Sequence, residues 1–196
     1  MTKVIKLEII LVRHGETNAN HLKLVQGWTD NPLNHLGKEQ AKNAGKFLKT
    51  HNYKPNVAYT SPLLRASETG EIILKNINPS LKLQYDFHFI ERNFGPYEQK
   101  EVVPTMKKVL AKGFNEPGYE TDEMLEKRVL IGLKNLYKFY KDQKIIIFCH
   151  SHVIKACLIL ADKKSFNYSS LVENGSLHKL SFNGVNLKLL RFSFNI

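Results

Sequence analysis

Apolar positions in this chain come in two patterns, short unbroken runs and longer stretches with helical spacing, and the two alternate. Ile9-Ile10-Leu11-Val12 is an unbroken run that ends abruptly in Arg13-His14-Gly15, which predicts a strand buried on both faces. After a polar, loop-like stretch over 16–30, Asn34 is placed to cap a helix whose Leu36, Gln40, Ala44, Phe47 and Leu48 share one inward face. Pro55-Asn56 breaks the chain before a short second strand, Val57-Ala58-Tyr59-Thr60. Ser61-Pro62 then starts a helix with Pro62 at its first position, carrying Leu64, Arg65, Thr69, Ile72 and Ile73. A weakly marked third strand falls around 82–85.

Residues 86–120 are irregular apart from a short amphipathic piece at 102–110, and are expected to fold over the strand ends as an insertion or cap. Thr121 or Asp122 caps a long helix with Leu125, Val129, Leu133, Leu136, Tyr137 and Tyr140 on one side. Lys144-Ile145-Ile146-Ile147-Phe148-Cys149 is the clearest buried strand, and it runs straight into His150-Ser151-His152 and a helix over 153–160. Residues 176–182 and 187–194 pair across Asn183-Gly184 as a hairpin. The order predicts an α/β fold, a three-layer α/β/α sandwich on a mostly parallel sheet with one antiparallel strand. It is expected to be a single domain spanning 1–196.

Composition narrows the class. With 196 residues and 42% hydrophobic content the chain can bury one sizeable core. No stretch approaches the ~18 apolar residues of a membrane span, and Met1-Thr2-Lys3-Val4-Ile5-Lys6 lacks the form of a signal peptide. Cys149 and Cys157 match no zinc spacing and are expected as reduced thiols, so the expected location is cytoplasmic, with no membrane partner. A net charge of +11 raises nucleic-acid binding. The lysines, however, are scattered over what look like helix outer faces, so no nucleic-acid partner is expected, and the field instead suits an anionic small substrate. A homodimer stays open.

Open α/β sheets place their ligand groups at the carboxyl ends of strands, and here two buried strands end in histidine. If those strands are neighbours, His14 and His150 share one crevice. Arg13 can grip two phosphate oxygens at once, Gly15 leaves the backbone bare, and His14 can act as base or nucleophile. Arg65, near the start of its helix, would bring a second cation to that edge. Glu91, in the irregular stretch, is a carboxylate able to hang over the pocket. Each also has a plain structural reading, as surface charge, core imidazole or loop carboxylate.

The motifs themselves carry a resemblance. Leu11-Val12-Arg13-His14-Gly15-Glu16-Thr17-x-x-Asn20, Gln26-Gly27-Trp28-x-Asp30-x-Pro32-Leu33 and Leu36-Gly37-x-x-Gln40-Ala41 occur in order, followed by Thr60-Ser61-Pro62-Leu63-x-Arg65-Ala66-x-x-Thr69, Glu91-Arg92-Asn93-Phe94-Gly95 and the strand ending in His150. Together they resemble the histidine phosphatase superfamily, in its phosphoglycerate mutase-like branch. The resemblance implies that His14 takes the phosphoryl group, that Arg13, Arg65 and His150 hold it, and that Glu91 handles the proton. Asn20, Gln26, Gly27 and the backbone around Ser151 complete the implied phosphate and substrate contacts.

Physical chemistry fits those roles. A phosphate monoester repels a nucleophile until cations neutralise it, and Arg13 and Arg65 stay charged at any working pH. Neutralisation by arginines leads to an expectation of no metal and no cofactor. His150-x-His152 could form a metal pair, but no acidic motif nearby completes a site. The chain ends at Ile196 directly after its last strand, with no tail to close over a phosphorylated intermediate, and 91–100 is closer to a bacterial phosphatase pattern than to a mutase one. The expected activity is therefore hydrolysis of a small-molecule phosphate ester. Phosphoglycerate mutase activity and non-enzymatic binding of a phospho-ligand are the alternatives. Gln99 and Ser151-His152 replace glycines common in the family, and they fall where the pocket's specificity is set.

Overall fold

The computed structural model describes residues 6–194, so Met1-Thr2-Lys3-Val4-Ile5, part of the segment examined for a signal peptide, lies outside it. Six strands form one sheet in the order β3-β2-β4-β1-β5-β6. They are β1 (Leu7–Arg13), β2 (Val57–Thr60), β3 (Leu83–Tyr85), β4 (Lys144–Cys149), β5 (Leu177–Phe182) and β6 (Leu187–Phe194). β1 to β4 pair in parallel, and β5 pairs antiparallel with both β1 and β6. Thus β5 alone runs against the rest, as expected.

The unbroken apolar strands are buried on both sides. Leu7, Ile9 and Leu11 of β1, with Ile145, Ile147 and Cys149 of β4, join one core with Leu125, Val129, Leu133, Val153 and Cys157. Those last residues belong to α5 (Asp122–Phe139) and α6 (Ser151–Ala161). Ile10, Val12, Ile146 and Phe148 face the other way, onto Ala44, Leu48, Ile73 and Leu74 of α2 (His35–Thr50) and α3 (Leu64–Ile77). Alternation with period two therefore feeds two cores rather than a core and solvent. Each fully buried Leu, Ile or Phe contributes about 1.5–3 kcal/mol of transfer free energy, so the central pair β1–β4 is the most strongly held part of the sheet.

Two sequence expectations need correction. The helix at Pro62 begins two residues later, at Leu64, and Leu63 supplies no side-chain cap. Instead Asp30 Oδ1, from the distant loop, accepts the Leu64 amide at 2.8 Å. Leu36 was expected to face inward but is 51% exposed. The buried face of α2 is made of Gly37, Ala41, Ala44, Gly45 and Leu48, mostly small residues, with Gly45 packed against Asn76 of α3 and Gly37 against the Glu16 backbone. Asn34 caps α2 as expected, through the Gly37 amide at 2.8 Å, and Thr121 caps α5.

Beyond the sheet, α1 (Asn18–His21) and α4 (Val102–Val109) lie in the loop region above the strand ends. Val25, Phe94, Tyr97, Val109 and Tyr119 form a small core of their own, supported by Val102 and Met106. Backbone bonds from Val25 to Lys100, Gln99 to Val25, and Val102 to Lys23 tie the 86–120 stretch to the loop that follows β1.

Candidate active site

β1 and β4 are adjacent and in register to their last residues, Arg13 opposite Cys149. The His14 amide then donates to the Cys149 carbonyl at 3.0 Å, so His14 and His150 leave the sheet side by side. Their ring centroids are 5.1 Å apart. β2 flanks β4 on the other side, and the Ser61 amide donates to Phe148 O at 2.9 Å. Three strand ends thus deliver His14, His150 and Ser61 to one edge.

Both imidazoles are fixed by a hydrogen bond on one nitrogen. His14 Nδ1 lies 2.7 Å from Gly15 O. A carbonyl only accepts, so Nδ1 carries the proton and Nε2 presents its lone pair. Burial, then Arg65, then Arg13 hold the His14 pKa well below its ordinary value, and the ring is neutral. His150 is fully buried, with Nε2 2.7 Å from Ser61 Oγ. Ser61 Oγ also accepts from the Leu63 amide at 3.3 Å. His150 Nδ1 is also buried and has no partner among the described residues. Burial, Arg65 and His14 keep this ring neutral as well.

The two arginines are anchored by carbonyls. Arg65 donates Nη1 to Thr29 O at 2.9 Å and Nη2 to Gly27 O at 2.7 Å, while Arg13 Nη1 donates to Val172 O. In each guanidinium Nε is buried and unpartnered. Burial lowers both pKa values to about 10, which leaves both side chains charged near neutral pH.

Around these groups lies a cavity of about 170 Å³ lined by Arg13, His14, Asn20, Gln26, Gly27, Arg65, Glu91 and Ser151. Every expected site residue is therefore at its wall except His150, whose ring lies next to that of His14. Asn20 Oδ1 accepts from Thr17 N and Asn174 Nδ2 at 3.2 Å each, so its Nδ2 is the group available to a ligand. Gln26 Oε1 accepts from the Thr17 hydroxyl at 2.9 Å. Gly27 has φ +53°, and a β-carbon there would collide with the Glu98 carboxylate, whose Oε1 accepts the Trp28 amide at 2.7 Å. Ser151 opens α6, whose N-cap His150 makes no side-chain capping bond, so first-turn amides face the site as a helix N-terminus that favours anions.

Glu91 Oε1 accepts its neighbouring Arg92 amide at 2.8 Å, and Oε2 lies 3.5 Å from the His152 amide. The remaining wall is mostly apolar: Leu24, Val25, Phe94, Val102 and Met106. Sequence reasoning missed two groups here. Lys155 lines the cavity, half-buried, with Nζ 2.8 Å from Tyr168 O. Its position four residues after Ser151, on the same helix face, was the available signal. His152, read in the sequence as a departure from glycine and as half of a metal pair that nothing completes, stacks at 5.6 Å on Tyr168 and edge-on at 5.1 Å to Phe94, and is held neutral by burial and Arg92. Among the described residues no group of three or more His, Cys, Asp or Glu stands where it could hold a metal ion, and no helix is long and apolar enough to cross a membrane.

An imidazole and two anchored guanidinium groups line one cavity at the strand ends of a three-layer α/β fold, an arrangement that suits an anionic ligand. Comparison with known proteins is specific. Residues 9–195 match the histidine phosphatase superfamily (branch 1), and the chain belongs to that family. It is 35% identical to the uncharacterised phosphatase PhoE of Bacillus subtilis over 76% of this chain and 75% of that protein. It is 28% identical to the 2,3-bisphosphoglycerate-dependent phosphoglycerate mutase of Parvibaculum lavamentivorans, over 80% of each chain. The crystal structure of a phosphoglycerate mutase from Bacillus anthracis has the same fold, with a TM-score of 0.82 at 24% identity over 94% of this chain and 92% of that one.

Proposed function

We propose that this protein is a phosphatase that hydrolyses small-molecule phosphate monoesters through a phosphohistidine on His14. The observation that carries the reading is the His14 Nδ1 to Gly15 O bond at 2.7 Å, which commits Nε2 as a neutral nucleophile between two fixed cations. The ester dianion binds Arg13, Arg65, Asn20 Nδ2 and the first amides of α6, and its charge is neutralised there. Nε2 attacks phosphorus in line; the N–P bond forms as the ester P–O bond breaks, and protonated Glu91 gives its proton to the leaving oxygen. In the second half Glu91, now a carboxylate, takes a proton from water. That water attacks phosphorus, the N–P bond breaks, and inorganic phosphate leaves with His14 restored.

Hydrolysis is favoured over mutase action by the similarity to PhoE and by the small cavity, whose wall includes the apolar Leu24, Val25, Phe94, Val102 and Met106. Rapid quenching with a labelled ester, followed by mass spectrometry, tests the reading. Label on His14, and loss of turnover in His14→Asn, are the expected results. Label elsewhere, or an active His14→Asn enzyme, overturns it. Transfer of the label to a three-carbon phosphorylated acid faster than to water would move the assignment to a mutase.

A further inference from the structure

Glu91 sits in an irregular stretch between a short turn at Phe87–Phe89 and another at Gly95–Tyr97, so no helix or strand of its own sets its position. Among the described residues its carboxylate accepts from its neighbour's amide and, at 3.5 Å, from that of His152. Its backbone is held from outside. Arg128 of α5 donates Nη1 to His88 O at 3.0 Å and Ile90 O at 2.9 Å, and Nη2 to Glu91 O at 3.3 Å. The same guanidinium is gripped by Glu120, Nε to Oε1 and Nη2 to Oε2, both at 2.8 Å. Glu120 in turn accepts the Asn93 amide at 3.2 Å, and its own amide donates to Asn93 O at 2.8 Å. Trp28 Nε1 adds a bond to Glu91 O at 2.7 Å.

One planar, bidentate pair therefore fixes the carbonyls leading into Glu91 and the residue two positions beyond it. Neither Arg128 nor Glu120 lines the substrate cavity; both line a separate cavity of about 340 Å³ with Trp28, Tyr119 and Met124. We propose that Arg128, gripped by Glu120, is a positioning residue that sets where the Glu91 carboxyl stands relative to the phosphate cradle. This rests on the role given to Glu91 above. Proton transfer needs heavy atoms within hydrogen-bond reach of the leaving oxygen, so a backbone shift of a fraction of an ångström at Glu91 costs rate while the cations still bind phosphate.

The test compares single-turnover phosphohistidine formation from two esters. An alkyl phosphate needs a proton on its leaving oxygen, and 4-nitrophenyl phosphate does not. Arg128→Ala is expected to slow transfer from the alkyl ester by roughly 10²-fold and from the nitrophenyl ester by less than about threefold, with KM nearly unchanged. Glu120→Gln keeps the shape but loses the charge, and falls between. Guanidinium ion at millimolar concentration, entering through the second cavity, is expected to restore the alkyl-ester rate of Arg128→Ala. Equal slowing of both esters, no slowing, or a recovered melting temperature without a recovered rate overturns the proposal. If Arg128→Ala does not fold, Arg128→Lys carries the same comparison, since an ammonium cannot make the fork to Glu120. His14→Asn runs alongside. Turnover there removes the phosphatase reading itself, whereas a dead His14→Asn with a leaving-group-independent Arg128→Ala removes only the clamp.

Discussion

His14 and His150 emerge from neighbouring parallel strands with ring centroids 5.1 Å apart, and both are buried and neutral. Two imidazoles this close, beside two arginines, could not both carry charge. Burial is the larger cause of each lowered pKa, with the arginines second, so the neutral state belongs to the fold and not only to the bound complex.

A pH dependence of stability follows. His14, His150 and His152 all have pKa values well below 6.5 in the folded chain. Below that value the unfolded chain binds protons that the folded chain refuses, so stability is full above it and falls as pH drops. Each histidine changes the folding equilibrium by up to roughly tenfold per pH unit, until its own folded pKa is reached. Thermal melting followed by Trp28 fluorescence should therefore show a steep loss of stability from about pH 6.5 downward. Over the same range the His14 ring should show no protonation by NMR while the protein stays folded. A melting temperature flat from neutral to mildly acidic pH would contradict the assignment.

Ser61→Ala addresses the second imidazole. The Ser61 hydroxyl is the hydrogen-bond partner of the His150 Nε2, at 2.7 Å. Without it, a buried Nε2 loses its partner, at a cost of about 1–3 kcal/mol, and the ring is free to take the other tautomer. The variant should remain folded with a lowered melting temperature. Its ¹⁵N shifts should show a change in the tautomer populations of His150. Unchanged tautomer populations would mean that Ser61 does not set them.

The parts of this fold that were legible in the sequence are those decided by local pattern. β1 and β4 are buried on both faces, so their apolar runs are continuous and their ends are sharp. His14, Arg13 and Gly15 follow directly. The start of α3 was misplaced because Pro62 has the right local form for a first helical residue, while the actual cap, Asp30, arrives from a different loop. Leu36 was misplaced because the buried α2 face is built mostly from glycine and alanine, which a search for large apolar residues does not weight. Trp28 and Arg128 act on Glu91 across 63 and 37 residues. No spacing rule links positions that far apart; only the tertiary fold makes them neighbours.

Gly15 marks where backbone approaches backbone. A β-carbon there would fall inside contact distance of the Gly37 carbonyl, and one at Gly37 would strike Glu16 O. Neither obstacle is the movable end of a side chain. Gly15→Ala should therefore push the β1 end away from α2 and cost about 3 kcal/mol or more, with kcat falling because His14 is displaced with it. Gly27→Ala meets a side-chain end instead, the Glu98 carboxylate held by the Trp28 and Thr29 amides, and at φ +53° it also carries backbone strain. The larger loss of melting temperature should come from Gly15→Ala, and the reverse order would show that the α2 contact yields easily.

Lys155 supplies the last prediction, on binding. Burial, opposed by Glu91, lowers its pKa to about 8, and no carboxylate forms an ion pair with it among the described residues. The charged form is present below about pH 8 and is lost above it. Arg13 and Arg65 keep their charge through that range, so a weakening of anion binding across it does not come from either arginine. Inhibition by inorganic phosphate should become weaker as pH rises through about 8, in steps too small for loss of an arginine contact. Lys155→Met should bind phosphate more weakly at neutral pH, and its inhibition constant should lose that alkaline dependence. If the variant retains the same pH dependence as the parent, the titrating group lies elsewhere and Lys155 serves only to hold Tyr168.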